Sequence, residues 1–181
     1  MKSIRIIGIT GLKRSGKDTI SDYINTNYKY NKVSFVKPLK DICKTLFDLT
    51  SEQLNGDEKE IIDKRYGCTP RKIMQFIGTD LFRNNMKIIK DSDNIWVNVL
   101  KRKLLKNKNK FVISDVRFQN EIDMIQSIGG IIIRVDRKDL IYKKDNHESE
   151  NINSLKKINF TINNNLSLEH LYRKIDIIFK E

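Results

Sequence analysis

Gly11-Leu12-Lys13-Arg14-Ser15-Gly16-Lys17-Asp18-Thr19 is the stretch that decides the fold. Before it, Ile4, Ile6, Ile7 and Ile9 read as a buried strand; after it, Ile20 and Ile24 share one face of a helix. A GxxxxGK run between a strand and a helix is a phosphate-binding loop. Its glycines let the backbone wrap closely, so that successive N–H groups point inward at phosphate oxygens. The helix N-terminus adds partial positive charge, and Lys17 can reach the β- and γ-phosphates of a nucleoside triphosphate. One position departs from the usual pattern. The residue after the lysine is Asp18 rather than Ser or Thr, and Thr19 comes one place later. Two arrangements are open: the Thr19 hydroxyl meets Mg²⁺, or Asp18 helps hold the ion, directly or through water.

Outward from the loop, strand and helix patterns alternate. Lys32 to Val36 reads as a second strand, and Pro38 suits the first turn of a helix carrying Leu39, Ile42, Cys43 and Leu46. Thr69-Pro70 is an N-cap followed by a first-turn proline, opening a helix that presents Ile73, Phe76 and Ile77. Asp93 is placed to cap a helix whose Trp96, Val97, Leu100 and Leu104 share a face. Phe111 to Val116 and Gly130 to Val135 are short, apolar and β-branched, as strands buried on both faces of a parallel sheet should be. A helix with Ile122, Ile125 and Ile128 runs between them. Asn159 to Ile162 is the last strand, followed by a helix capped by Ser167 with Leu168, Leu171, Ile175 and Ile178 as its stripe. This pattern predicts a three-layer α/β fold on a five-stranded parallel sheet. The expected core is 1–38 with 107–181, 39–106 is a helical insertion, and 136–152 is a candidate lid.

Asp115 and Arg117 stand at the C-terminal end of a predicted strand, the edge at which open parallel sheets bind ligands. There a carboxylate can organise hydrated Mg²⁺, and an arginine can hold phosphate bidentately. The competing reading is a surface ion pair. Glu121 follows Arg117 by one helical turn and could orient it. In the insertion, Arg71 and Gln75 stack one turn apart and Arg83 lies two turns further on. Such a face could hold an anionic acceptor, or it could simply be solvated. Trp96 could stack on a base or belong to the core. Arg134, Arg137 and Lys138 precede the polar run through Glu150, where a lid could supply cations to a phosphoryl group.

The chain has 181 residues and only two cysteines, Cys43 and Cys68, which read as packed side chains in a reducing compartment. The first residues lead directly into a strand and no apolar run is long enough to span a bilayer, so a soluble cytoplasmic protein without membrane contact is expected. The formal charge of +12 suits polyphosphate ligands. It is also the only sign of nucleic-acid binding, so nucleic acid is not expected as a partner.

Taken together, these residues resemble bacteriophage deoxynucleoside monophosphate kinases. The resemblance rests on Gly11–Thr19, Met74-Gln75-Phe76-Ile77-Gly78-Thr79-Asp80-Leu81, Trp96-Val97, Asp115-Val116-Arg117 with Glu121, Gly129-Gly130, His147-Glu148-Ser149-Glu150 and Asn165–Leu171. It implies a nucleoside-monophosphate-kinase-like P-loop fold, ATP and Mg²⁺, and transfer to a deoxynucleoside monophosphate such as dGMP or dTMP. It also implies a homodimer, working in the host cytoplasm if the source is viral. By matching position, Lys13, Arg14, Gly16, Lys17, Asp18 and Thr19 bind nucleotide, while Trp96, Asp115, Arg117, Glu121 and Glu150 lie at or near the acceptor. Gly11 and Ser15 complete the cradle, Arg134 and Arg137 are added ATP-side cations, and Lys13 and Arg14 also face the acceptor. Lys17, Asp115 and Arg117 are the expected catalytic set. Asp18, Thr19 and Asp115 are the expected Mg²⁺ ligands. Two alternatives remain. Animal phosphomevalonate kinases share a similar Gly-Lys-Asp loop and acid–arginine strand end, but lack a counterpart to Gln75–Asp80. A nucleic-acid-stimulated ATPase is the other, although Asp115 lacks an acidic neighbour.

Overall fold

Five short strands form one parallel sheet. In the computed structural model, which describes residues 4–106, 108–138 and 152–180, the strands are β1 (Ile6–Thr10), β2 (Asn31–Val33), β3 (Phe111–Ile113), β4 (Ile131–Asp136) and β5 (Phe160–Asn163). Their order is β2-β3-β1-β4-β5, all parallel. Central β1 is buried along its whole length. The chain divides into two compact units, Met1–Ser34 with Leu100–Glu181, and Phe35–Val99.

In the first unit, alternation along the strands sends side chains to both faces of the sheet. Ile7, Ile9, Ile133 and Val135 meet Ile20 and Ile24 of α1 (Lys17–Tyr28) and Leu171, Ile175 and Ile178 of α7 (Leu168–Lys180). On the opposite face, α6 (Gln119–Ser127) packs against β1 and β4. There Ile125, Ile132 and Val116 crowd the space a side chain on Gly8 would need. Helices on both faces make the expected three layers. The Ser167 hydroxyl caps α7, accepting from the His170 N–H at 3.3 Å. Leu168 is 58% exposed and lies outside the apolar stripe predicted for it. Aromatic stacking ties α1 to α7: Tyr23 on Tyr172, and Tyr28 on Phe179. Both Tyr23 and Tyr28 also donate to Asp176, at 2.8 and 2.6 Å.

Strand ends shift from their predicted positions. β3 stops at Ile113 rather than Val116, because the chain bends at Ser114 and the Val116 N–H turns to the Ile9 carbonyl at 3.2 Å. That bend places Asp115 at the strand mouth. β2 stops at Val33, ahead of Phe35, which is buried.

In the second unit, Leu39, Cys43, Leu49, Leu54, Ile73, Ile77 and Trp96 form the core. They come from α2 (Lys37–Phe47), α3 (Ser51–Asn55), α4 (Pro70–Gln75), a π-helix over Phe76–Asn85 and the start of α5 (Ile95–Leu105). Thr50 and Gln53 form a reciprocal capping box at α3, with bonds of 3.1 and 3.0 Å. Thr69 caps α4 as predicted, its hydroxyl accepting from the Lys72 N–H at 3.2 Å. Asp93 sits inside a short 3₁₀ turn, Ser92–Asn94, that leads into α5.

The π-helix was not legible in the sequence. Its wider turn changes which residues share a face. Phe76, expected on the apolar face, is 55% exposed. Arg83 is buried and donates to the Asp93 carbonyl at 3.2 Å. Among the described residues, no helix is long and apolar enough to cross a membrane.

Candidate active site

The carboxyl end of β1 turns sharply into the phosphate loop. At Gly11 φ is +151°, and a side-chain carbon would lie 2.5 Å from the Val135 carbonyl oxygen, so only glycine lets the loop pass β4 this closely. Arg14 adopts a left-handed conformation, and the Ser15 N–H closes a turn onto the Leu12 carbonyl at 3.2 Å. Gly16, with φ 105° and ψ 13°, stands at the head of α1 and accepts the first helical bond, from Ile20 N–H at 3.0 Å. No side chain caps this helix end, which leaves its first N–H groups facing the loop, as anion binding requires. Lys17 reaches back across the loop, its Nζ 2.6 Å from the Leu12 carbonyl oxygen. The hydroxyls of Thr10 and Ser15 are buried with no hydrogen-bond partner among the described residues. Unpartnered buried hydroxyls are costly and rare, and both of these lie at the base of the loop.

The mouth of β3 lies beside the loop, with β3 paired to β1 at Gly8–Ile113. Ser114 Oγ donates to Asp18 Oδ1 at 3.1 Å, linking the strand end to the carboxylate that replaces the usual hydroxyl. Val116, through its bond to Ile9, pins the segment carrying Asp115 and Arg117 to β1. Glu121 is buried, and its Oε2 accepts from the N–H groups of Arg117 and Phe118 at 2.8 and 3.1 Å. Glu121 therefore holds Arg117 by its backbone while closing the first turn of α6. The oxygen donors Asp18, Thr19 and Asp115 suit a hard cation. Among the described residues, no group of three His, Cys, Asp or Glu could hold a metal alone. A magnesium ion here would share its ligands between one or two carboxylates, water and phosphate oxygens, which is its common habit.

A cavity of about 340 Å³ opens beside the loop, lined by Arg14, Lys17, Asp18, Arg137, Leu166 and Leu168 among others. Arg137 is thus brought to the loop. Arg134 lies on β4, its Nε 2.9 Å from Asp136 Oδ1. Two residues of this region escaped the sequence reading: Ser114 and Asn164. Asn164 donates to the Ser15 carbonyl at 2.8 Å. No local motif marks either, since each matters through a partner far along the chain.

The residues expected at the acceptor from the helical insertion belong to the second unit. Arg71 is half-buried and its Nε meets Glu60 Oε1 at 2.8 Å. Gln75 closes α4 and is also half-buried. Arg83 is turned inward onto Asp93, as above. Trp96 is buried, its indole N–H donating to the Gly78 carbonyl at 2.8 Å and its ring tilted against Phe82. Of the two readings open for Trp96, this is core packing. Glu150, with most of the candidate lid, lies outside the described residues.

Known proteins match this arrangement over nearly its whole length. The profile of the deoxynucleotide monophosphate kinase family matches residues 5–64 and 45–175. A protein of Acanthamoeba polyphaga mimivirus named as a deoxynucleotide monophosphate kinase is 39% identical, covering 94% of this chain and 93% of its own. The deoxynucleotide monophosphate kinase of Enterobacteria phage T4 is 23% identical over 95% of this chain and 97% of its own. Two solved structures share the fold. Thermus thermophilus TT1252 gives a TM-score of 0.54 at 16% identity, covering 99% of this chain and 98% of its own. A gluconokinase from Sinorhizobium meliloti 1021 gives 0.52 at 10%, covering 99% and 94%. With a phosphate loop on a β2-β3-β1-β4-β5 sheet and these relatives, the chain belongs to the deoxynucleotide monophosphate kinase family, the nucleotide kinases of viral relatives.

Proposed function

We propose that this protein transfers the γ-phosphoryl group of ATP to a deoxynucleoside monophosphate, with dGMP- or dTMP-type acceptors. One observation carries the reading: the phosphate loop and the Asp115–Arg117 strand end converge on one sheet edge, joined by the Ser114–Asp18 and Val116–Ile9 bonds. An acceptor phosphate oxygen attacks the γ-phosphorus in line. The bond to the β,γ-bridging oxygen breaks, and ADP leaves with that electron pair. The nucleophile is already anionic, so no strong base is needed. The main barrier is bringing two anions together, and catalysis is positioning plus charge neutralisation. Lys17 and Arg14 neutralise the donor phosphates, Arg117 holds the acceptor phosphate, and Arg137 adds charge from the cavity wall. Asp18, Thr19 and Asp115 would hold Mg²⁺, in part through water, and the ion would supply charge neutralisation to the phosphates.

On the surface of the helical unit, Arg71 and Gln75 are the proposed acceptor contacts. Arg83 and Trp96, whose polar atoms are bonded inward, support that surface from within. The resemblance to phage kinases supports a homodimer working in the cytoplasm, which sedimentation of the purified protein tests.

The deciding assay couples ADP release to a panel of dGMP, dTMP, dCMP and dAMP, with phosphomevalonate as the rival acceptor. Turnover restricted to the deoxynucleotides supports the assignment. Turnover only with the rival acceptor would sink it. Lys17→Ala and Arg117→Ala should each lower kcat/KM by about 10²–10³-fold with circular dichroism unchanged. Near-normal activity in either variant counts against the mechanism.

A further inference from the structure

The turn after β5 is a run of three asparagines, Asn163-Asn164-Asn165, and its centre reaches the phosphate loop. Asn164 Nδ2 lies 2.8 Å from the Ser15 carbonyl oxygen. Because the partner is a carbonyl, only the amide's NH₂ side can make this bond. Asn164 is itself held firmly. Its backbone N–H donates to the Asp136 carbonyl at 2.7 Å, and Asn165 Oδ1 accepts from the Lys138 N–H at 2.7 Å. Lys174 of α7 secures the Asn163 carbonyl at 3.0 Å. The turn is therefore a fixed post, built from β4, β5 and α7, with one amide aimed at the loop.

What that amide holds is a peptide plane. The Ser15–Gly16 bond is trans, as are all described peptide bonds, and in a trans peptide the carbonyl and the following N–H point in opposite directions. Fastening the Ser15 oxygen to Asn164 therefore turns the Gly16 N–H the other way. Gly16 is the residue least able to hold that direction by itself, since glycine moves freely between backbone conformations. Its contact with Asn164 is also close: a side-chain carbon on Gly16 would lie 2.4 Å from Nδ2.

We propose that Asn164 is a positioning residue for the phosphate loop. By gripping the Ser15 carbonyl, it holds the Gly16 N–H and the head of α1 in the orientation that receives the donor's phosphates. The inference rests on the phosphate-loop reading above and adds a residue to it. An asparagine suits the task better than its isostere. Aspartate would have no hydrogen to offer the carbonyl and would place a negative charge beside incoming phosphates.

The test compares wild-type protein with Asn164→Ala, Asn164→Asp and Asn164→Ser, using calorimetric titration with Mg–ATP and with inorganic tripolyphosphate. Asn164→Ala should weaken both ligands by a similar factor, about tenfold for one lost hydrogen bond in a polar site, and Asn164→Asp by more. KM for the acceptor should stay within about twofold, and the ligand-free melting midpoint should barely move. A purely structural role would move the midpoint and leave the two ligands' affinities equal to wild type at temperatures where the protein is folded. The proposal is overturned if tripolyphosphate binding is unchanged in every variant that folds, or if ATP alone weakens, which would put Asn164 against the nucleoside. Should all three variants fail to fold, the amide is a structural support and the proposal also falls. Wild-type protein that binds neither ligand would instead bring down the phosphate-loop reading itself.

Discussion

Gly16 concentrates the demands of the site in one residue. Its φ of 105° is in the range that favours glycine, and Asn164 leaves no room for a side chain there. Gly16→Ala should therefore lower the melting midpoint by several degrees, from about 1–3 kcal/mol of backbone strain, and reduce ATP affinity at least as much as Asn164→Ala does. Titration calorimetry with a thermal melt checks both; wild-type affinity would mean that the loop tolerates another geometry. The two cysteines behave as the sequence suggested, as packed side chains. Cys43 is fully buried in the helical unit's core, and burial pushes its thiol up to about 11, whereas Cys68 is partly exposed. In native protein at pH 8 a disulfide reagent should release one equivalent quickly, from Cys68, with the second appearing only on unfolding. Two fast equivalents would contradict the packing around Cys43.

Among the elements, the segment between α3 and α4 owes its shape to one carboxylate. Asp63 is buried and accepts from Arg65 Nη2 at 2.7 Å, Gln53 Nε2 at 2.9 Å and the Arg65 N–H at 2.9 Å. The Arg65 hydrogen bond is the largest cause holding its carboxyl well below the ordinary 3.8, opposed by burial. A carboxyl whose pKa is lower folded than unfolded stabilises the fold in full above its unfolded value. That contribution drains away as pH falls through about 4 toward the folded value. Asp63→Asn should thus melt lower than wild type at pH 7, with the gap narrowing at pH 3. An equal gap at both pH values would show that charge plays no part. The caps at Thr69 and Ser167 could be read from adjacent residues, because a cap is made within one turn. The π-helix could not. Its apolar spacing resembles that of an α-helix, and its wider winding only becomes visible once Ile77, Gly78 and Trp96 are in place.

For the whole molecule, ligand and stability are linked. A ligand at a hundred times its Kd that binds only folded protein adds about 2.7 kcal/mol, and a chain this long gains about 2–4 °C per kcal/mol. Saturating Mg–ATP should therefore raise the melting midpoint of wild-type protein by about 5–10 °C, and added salt should shrink the shift, since a chain of +12 charge attracts polyphosphate electrostatically. A salt-independent shift would argue against that attraction. The fold class, the five strands and the loop Gly11–Thr19 were legible because each is encoded by near neighbours: apolar runs, glycine spacing and a lysine at the head of the following helix. Asp115 and Arg117 were legible because a strand end is itself a local signal. The sequence by itself thus determined the scaffold, the loop and the class of ligand. Tertiary structure alone decided that Ser114 meets Asp18, that Asn164 grips Ser15 from 149 positions away, and that Arg83 and Trp96 turn inward. The physical reason is range. Backbone propensities and caps act over a turn or two, whereas a single hydrogen bond between distant segments has no local trace until the sheet brings its partners together.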